Sequence, residues 1–327
     1  MKFLFFTDDH KRGNSPANRK DNFPQTLKNK LLEISRLIRE LEVDYVLHGG
    51  DFFDNPAPAP HVCAEFLTIF QNFGVPIFAV SGNHDVYGHN PATIERTMLG
   101  LMDKLGIIKL LQGTEPVYLE KNGIRVQLTG TGYHWDLDSG EKSGYIIKKK
   151  DADVAIHLVH GPLLDRSAWP GVSYTLIEDV LSTEADVTLA GHFHLGFPDT
   201  RHGNKYFLNP GALARLSNHP AEITRPVQVI LIDLSSGRVN CRRITLSSAP
   251  PGNEVLDRTK TEEAAFREAR LASFLKEVSQ AGQFRRMDLR HLLTQIASAN
   301  NLEPEVREEA LRQVALAEEA VLKGSSE

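Results

Sequence analysis

Apolar and polar positions along the first 110 residues predict strands and helices in alternation. Short apolar runs predict strands, and apolar residues that recur every three or four positions predict helices. A helix with Leu27, Leu31, Ile34 and Leu41 on its buried face is followed by helices near 61–73 and 93–105, and the predicted strands are 2–7, 45–48, 76–80 and 107–111. This alternation favours a parallel sheet with right-handed crossovers.

The pattern changes after residue 110. Apolar runs with few helical periods predict a largely β second half, with strands at 117–119, 125–129, 154–159, 187–190, 205–209, 227–234 and 238–245. We therefore expect an α/β fold in which two sheets face each other and helices cover their outer faces, a four-layer α/β/β/α sandwich.

A turn-rich segment, Ser-Ser-Ala-Pro-Pro-Gly at residues 247–252, separates this region from a different tail. Beyond it the apolar residues recur at helical spacing and predict three amphipathic helices. We predict a main domain over residues 1–252 and a helical appendage over residues 253–327. The apolar stripes of the appendage either pack on the main domain as a lid or form a docking or dimerisation surface, and both alternatives stay open.

Composition excludes several classes of protein. The 327 residues are 41% apolar and 24% charged, which is typical of a globular chain and not of a disordered, collagen-like or coiled-coil chain. A net charge of −5 means that nucleic-acid binding would need a local basic patch. Two cysteines are too few for a disulfide framework, and the opening run KFLFF is too short for a signal peptide or a membrane span. We expect a cytoplasmic protein without a membrane segment.

Polar motifs follow the predicted strands. DxH follows the first strand, GDxxD the second and GNHD the third, and a histidine and a GHFH motif follow two later apolar runs. Loops beyond the carboxyl ends of parallel strands lie together, so these motifs are expected to converge. Two-metal phosphoryl chemistry needs oxygen and imidazole ligands and one carboxylate that bridges the ions, and the sequence supplies both.

The ordered set of DxH, GDxxD, GNHD, a later histidine and GHxH resembles the calcineurin-like metallophosphoesterases, from residue 1 to about residue 245. The resemblance implies two divalent ions that activate a bridging water for attack on a phosphoester. Manganese suits the donors, and zinc, iron and magnesium stay open. The implied ligands are Asp8, His10 and His194 at one ion, Asn83, His160 and His192 at the other, and Asp51 between them.

The resemblance also implies two catalytic residues that are not ligands. His84 corresponds to a histidine that contacts phosphate and protonates the leaving oxygen as a general acid. Asp54 corresponds to a residue that orients this histidine through its carboxylate. The alternative for Asp54 is a loop cap beside Asn55 and Pro56.

Within the family the chain looks most like the SbcD-type DNA repair nucleases. The similarity lies in residues 47–60 (LHGGDFFDNPAPAP), in residues 81–88 (SGNHDVYG) and in the NPGALAR segment at 209–215, where Ala212 replaces the Ser of those nucleases. It implies a DNA exonuclease or endonuclease that works with an SbcC-like ATPase. The alternatives are a phosphodiesterase or phosphatase for a small substrate such as a cyclic nucleotide, and a non-catalytic metal-binding scaffold.

Four residues are candidates for substrate binding: Arg12, Tyr87, His134 and Arg215. Arg12 belongs to a basic cluster after DxH that is expected to track the phosphates of DNA, and its other members are Lys11, Arg19 and Lys20. The partners that we expect are DNA and, through the helical appendage, an SbcC-like ATPase or a second copy of the chain.

Overall fold

The computed structural model describes residues 1–111, 115–167, 173–235 and 237–259, and in the tail residues 266, 267, 270–273, 296, 303–306, 308–310, 312 and 313. Within these ranges the strands are β1 (Lys2–Phe6), β2 (Tyr45–His48), β3 (Ile77–Ala79), β4 (Lys109–Leu110), β5 (Val117–Lys121), β6 (Ile124–Thr131), β7 (Val154–His160), β8 (Leu163–Leu164), β9 (Thr175–Leu176), β10 (Val187–Gly191), β11 (Phe197–His202), β12 (Lys205–Asn209), β13 (Gln228–Asp233) and β14 (Asn240–Thr245). The α-helices are α1 (Phe23–Glu40), α2 (Pro60–Gln71), α3 (Met98–Lys104), α4 (Pro220–Thr224) and α5 (Gly252–Val255). Short 3₁₀ helices are Asn83–Asp85, Tyr87–His89, Pro91–Arg96, Ser143–Tyr145 and Ile177–Val180.

The first sheet has the strand order β14-β13-β1-β2-β3-β4. Strands β1 to β4 are parallel, as the alternation of strands and helices predicts. Strand β13 returns from the second half of the chain and pairs antiparallel with β1, where Leu4 lies opposite Leu231. Successive residues of β13 are buried on both of its faces, Ile230 on one and Leu231 on the other, as is usual for a strand in the interior of a sheet.

The second sheet has the order β11-β12-β10-β7-β6-β5. Its four central strands are parallel, and the edge strands β5 and β11 are antiparallel to their neighbours. The sequence pattern missed β11 because Phe197 is its one buried residue, and Pro198 and the polar residues that follow are partly or fully exposed.

Side chains of β1 alternate between two apolar layers. Phe3 and Phe5 pack between the sheets against residues such as Leu128 of β6, whereas Leu4 and Phe6 pack under helices α1 and α2. A third apolar cluster, which includes Tyr145, covers the outer face of the second sheet. The α/β sandwich is therefore confirmed, and 3₁₀ helices and the β8–β9 pair contribute to its outermost layer.

Two features differ from the predicted elements. The helix expected over 93–105 is divided into the 3₁₀ helix Pro91–Arg96 and α3, because the Thr97 side chain accepts a hydrogen bond from Gly100 N and starts a new helix.

Backbone contacts divide the chain into units Met1–Leu256 and Asp257–Glu327, four residues after the boundary that the sequence predicts. The three predicted tail helices lie mostly outside the described residues, so the functional division of the chain stays a prediction. Among the described helices, none is long and apolar enough to cross a membrane.

Candidate metal centre

The seven predicted ligands lie where strands of both sheets end. Because β1, β2 and β3 are parallel neighbours, the loops that follow them share one edge of the first sheet. Strands β7 and β10 are parallel neighbours in the second sheet, and their register places His160 opposite Gly191. The ligands and their strands are Asp8 and His10 after β1, Asp51 after β2, Asn83 after β3, His160 at the end of β7, and His192 and His194 after β10.

One group of donors contains Asp8, His10, Asp51 and His194, whose ligand atoms all lie within 4.8 Å of one another. The Nε2 atom of His10 is 3.1 Å from Nε2 of His194 and 3.5 Å from Oδ2 of Asp51. Oδ1 of Asp8 is 3.4 Å from Nε2 of His194. Two carboxylates and two imidazoles therefore face a common point.

A second group contains Asp51, His160 and His192, again with ligand atoms within 4.8 Å of one another. Oδ2 of Asp51 is 3.4 Å from Nε2 of His160. Oδ1 of Asn83 lies 2.9 Å from Nδ1 of His192 and 3.3 Å from Nε2 of His160, so the asparagine adds an oxygen donor. Asp51 is common to both groups, which is the arrangement that a bridging carboxylate requires.

The charges of these groups suit divalent cations. Burial by itself would raise the pKa of the Asp8 and Asp51 carboxyls, but the imidazoles beside them hold both pKa values well below the usual range. Burial lowers the pKa of His10 to about 3 and that of His192 to about 4. Against burial, Asp51 raises the pKa of His160 to about 9 and Asp8 raises that of His194. Anionic carboxylates and neutral imidazoles are the forms that coordinate a metal, so a bound cation would take the place of a proton on these two histidines.

Left-handed backbone brings four of these side chains inward. The φ angles are 56° at Asp8, 47° at His10, 52° at Asp51 and 74° at His192, a region that residues other than glycine rarely adopt. The strained loops are held together by hydrogen bonds from His10 N to Asp51 O at 3.1 Å and from His192 N to an Asp8 carboxylate oxygen at 3.1 Å. Strain of this kind gathers at functional sites, where the surrounding contacts maintain it.

Two glycines leave room for the ligands. At Gly50, φ is +100° and an added Cβ would lie 2.4 Å from Nδ1 of His160. At Gly82 an added Cβ would lie 2.0 Å from Oδ1 of Asp51. Nδ1 of His160 also donates to Gly49 O at 2.7 Å, which turns its Nε2 toward Asp51. A larger residue at either glycine would displace a predicted ligand.

The carboxylate of Asp85 fixes two of the motif loops to each other. It accepts hydrogen bonds from Gly82 N at 2.9 Å, from Phe52 N at 3.0 Å and from Phe53 N at 3.3 Å. Burial raises its pKa to about 7. The sequence shows Asp85 as the last residue of GNHD, but nothing in that motif indicates that it connects the second and third strand loops.

The structure corrects the role predicted for the Asp54 carboxylate. Nδ1 of His84 donates to the backbone carbonyl of Asp54 at 2.9 Å. The Asp54 carboxylate instead pairs with Nη1 of Arg12 at 3.0 Å and lies 3.8 Å from Nδ1 of His10. Ligand atoms of His10, Asp54 and His84 lie within 4.8 Å of one another, so His84 is beside the first donor group. The backbone carbonyl of Asp54 therefore orients His84, and a residue of any type at this position would supply the same carbonyl.

Three of the four candidate substrate residues are near the surface. The Tyr87 side chain is exposed and lies beside Arg96, and the His134 side chain is 31% exposed and bonded to Asp136 at 2.6 Å. Arg12 is partly exposed and borders a cavity of about 400 Å³ with Asp54, neighbouring loop residues and the first turn of α2.

The expectation for Arg215 is wrong. Its side chain is buried and donates to Pro250 O and Arg225 O, both at 2.7 Å. The segment that contains Arg215 is hydrogen-bonded to the backbone of two predicted metal ligands, since Ala214 N donates to Asp8 O and Ala212 N donates to His194 O. The NPGALAR signature therefore has a structural explanation that does not involve substrate.

Two of the four residues in the basic cluster after DxH, Lys11 and Arg19, are buried and do not form the phosphate-binding surface that the sequence predicts. Lys11 is fully buried and its Nζ lies 2.5 Å from Oδ2 of Asp9, while Oδ1 of Asp9 lies 2.6 Å from Nε2 of His48. Arg19 is buried and pairs with Asp21 at 2.7 Å. The sequence alone could not show this, because a lysine within a run of charged and polar residues is also typical of an exposed loop.

Tyr133 is a neighbour of the site that sequence reasoning missed. Its ring stacks on that of His192 with centroids 5.6 Å apart and an angle of 29° between the planes. Tyr133 N donates to Ser81 O at 2.9 Å, which joins the loop after β6 to the loop after β3. The only sequence signal was its position immediately before His134.

Comparison with known proteins identifies the family. The family model for the calcineurin-like phosphoesterases matches residues 1–196, and the chain belongs to that family. Among solved structures, the calcineurin-like phosphoesterase YfkN from Bacillus subtilis aligns with a TM-score of 0.46 at 14% identity, covering 83% of this chain and 96% of its own.

The curated relatives include DNA double-strand break repair proteins. Mre11 of Archaeoglobus fulgidus is 29% identical over 117 residues, which are 34% of this chain and 24% of that protein. Mre11 of Methanococcus maripaludis is 33% identical over 89 residues, 26% of this chain and 23% of that protein. MRE11 of Coprinopsis cinerea is 22% identical over 332 aligned positions, 82% of this chain and 44% of that protein. The chain thus spans less than half of the length of each relative.

Proposed function

We propose that this calcineurin-like phosphoesterase is a divalent-metal-dependent phosphodiesterase that cleaves DNA. The observation that carries the proposal is the pair of donor groups that share Asp51. An arrangement of this kind matches two cations held close together by one carboxylate. Asp8, His10 and His194 would hold the first ion, and Asn83, His160 and His192 the second.

When bound, two such ions lower the pKa of a water molecule and stabilise negative charge on the phosphoryl group. The chain supplies the other parts of the reaction. Asp51 fixes the loop of His84 by accepting a hydrogen bond from its backbone N at 2.8 Å. With Nδ1 of His84 bonded to Asp54 O, Nε2 is the nitrogen left to donate a proton to the leaving oxygen.

DNA as substrate is supported by the SbcD-like motifs and by the relatives named for DNA double-strand break repair. A cavity of about 400 Å³ is bordered by Arg12 and by Asp54, whose carbonyl accepts a hydrogen bond from His84. Arg12, Tyr87 and His134 are the residues that we propose for substrate contact.

The remaining parts of the proposal follow the family resemblance. We propose manganese as the resident metal, because carboxylate and amide oxygens with imidazoles suit it. We propose a cytoplasmic location, and an SbcC-like ATPase or a second copy of the chain as the partner of the helical appendage.

The test is one preparation reconstituted with Mn²⁺ and assayed on single-stranded DNA, duplex DNA, cyclic nucleotides and an aryl phosphodiester. The proposal predicts metal-dependent cleavage of DNA and of the aryl phosphodiester, abolished by a chelator and restored by Mn²⁺. Cleavage of cyclic nucleotides without cleavage of DNA would assign a small substrate instead. Absence of turnover on every substrate would contradict the enzyme assignment.

A further inference from the structure

We infer that the Asp54 carboxylate positions His10 as a metal ligand by accepting a hydrogen bond from its Nδ1–H. The two atoms concerned, Oδ1 of Asp54 and Nδ1 of His10, are 3.8 Å apart. This inference rests on the proposed metal centre, since it concerns how the chain presents one ligand to the first ion.

The His10 ring has two different surroundings. Its Nε2 faces the donor group, 3.5 Å from Asp51 and 3.1 Å from Nε2 of His194. Its Nδ1 is buried, and among the described residues no hydrogen-bond partner lies within bonding distance of it. For Nε2 to offer a lone pair to a cation, the proton must reside on Nδ1, and a buried N–H requires an acceptor.

The Asp54 carboxylate is the group placed to accept that hydrogen bond. Its Oδ2 is held by Nη1 of Arg12 at 3.0 Å, which leaves Oδ1 toward His10. The Asp54 side chain is 23% exposed and that of His10 is 1% exposed, so the carboxylate lies between solvent and the buried ring. A movement of about 1 Å brings the pair to a normal hydrogen-bond length.

Asp54 therefore acts on the site through two separate groups. Its carbonyl orients His84, and its carboxylate orients His10. Substitution of the side chain leaves the carbonyl in place, so the two functions can be separated by experiment. A carboxylate that accepts from the second nitrogen of a metal-bound histidine changes metal affinity by about 10- to 100-fold in other proteins.

The experiment measures Mn²⁺ binding by calorimetry in the absence of substrate, for the parent chain, Asp54→Ala and Asp54→Asn. Asp54→Ala is expected to weaken one of the two Mn²⁺ sites by about 10- to 100-fold and to leave the other unchanged. Asp54→Asn, whose amide oxygen still accepts a hydrogen bond, is expected to fall between the parent and Asp54→Ala. Activity of Asp54→Ala on an aryl phosphodiester should recover at saturating Mn²⁺, because His84 keeps its carbonyl partner.

Asn55→Ala is the matched control, since it changes the neighbouring loop residue, whose side chain accepts from Ala57 N. It should bind Mn²⁺ like the parent. Parent-like Mn²⁺ affinity in Asp54→Ala, with a loss of kcat that Mn²⁺ does not restore, would overturn the inference. That result would show that the Asp54 side chain acts on His84 and not on His10. A parent chain that binds fewer than two ions would contradict the proposed function itself, which is a different result.

Discussion

Nδ1 of His84 donates a hydrogen bond to the backbone carbonyl of Asp54 over 2.9 Å. The proposed proton donor is therefore oriented by main chain and not by a neighbouring carboxylate. His84 is also attached through its own backbone N to Asp51, at 2.8 Å. Its ring is thus placed by the two loops that carry the donor groups, although it belongs to neither of the groups that share Asp51.

Replacement of His84 by Ala should lower the rate of phosphodiester cleavage by about 10²- to 10⁴-fold, which is the usual contribution of a general acid. Metal content should stay at two ions, because His84 is not one of the proposed ligands. Elemental analysis and steady-state kinetics on the same preparation check both statements. His202→Ala, at the end of strand β11, is the control. Loss of an ion from His84→Ala would show that the residue is a ligand.

Replacement of Lys11 by Met should reduce the free energy of unfolding by about 3–5 kcal/mol, because it leaves the buried Asp9 carboxylate without its cationic partner. The methionine keeps an apolar stem of similar length but removes the ammonium, which also lies over the rings of Phe52 and Phe70 at 4.6 and 4.4 Å from their centroids. Lys20→Met changes an exposed lysine of the same loop and should have little effect. Chemical denaturation of both variants measures the difference. Equal stability of the two variants would mean that the loop is not anchored through Lys11.

Replacement of Glu33 by Gln should destabilise the protein at neutral pH but not in acid. Burial would raise the pKa of Glu33, but hydrogen bonds from Ser248 and Ser247 lower it below its usual value. The contribution of the carboxylate is therefore present above about pH 4.5, the unfolded value, and is lost as the pH falls through the lower folded value.

Thermal unfolding of Glu33→Gln and of the parent between pH 3 and pH 7 checks the Glu33 prediction. The gap in Tm should be largest at pH 7 and should close in acid. The exposed Glu40, which pairs with Arg36 at 3.5 Å, provides the control Glu40→Gln. A gap that stays constant with pH would show that the carboxylate charge does not contribute.

The stability of the unit Met1–Leu256 should depend on whether a C-terminal truncation keeps its last residues. Val255 and Leu256 are buried, and Val255 O accepts a hydrogen bond from Lys20 N at 3.0 Å. Removal of both aliphatic side chains should cost about 2–5 kcal/mol each. A chain ending at Leu256 should therefore melt several degrees above a chain ending at Gly252 and keep activity on an aryl phosphodiester. Identical melting curves would show that these two residues do not contribute to the fold.

Much of the fold could be predicted because its strands are short apolar runs and its ligands stand at their ends. The β1–β4 alternation and the convergence of Asp8, Asp51 and Asn83 follow from that pattern. The pairing of β13 with β1 could not be predicted, because an apolar strand buried on both faces fits either sheet. Local sequence also could not show that Arg215 faces inward, since its acceptors lie 10 and 35 residues farther along the chain.

We propose that Asp51 serves two metal ions at once, and the metal content of an Asp51 variant tests this sharing. Asp51→Asn should lower the content of Mn²⁺-reconstituted protein from two ions per chain to less than one, with loss of phosphodiester cleavage, because the charge shared by both cations is removed. Asp151→Asn is a matched control, since Asp151 is exposed and has a φ of 47° close to the 52° of Asp51. An Asp51→Asn protein that retains two ions and full turnover would contradict the account.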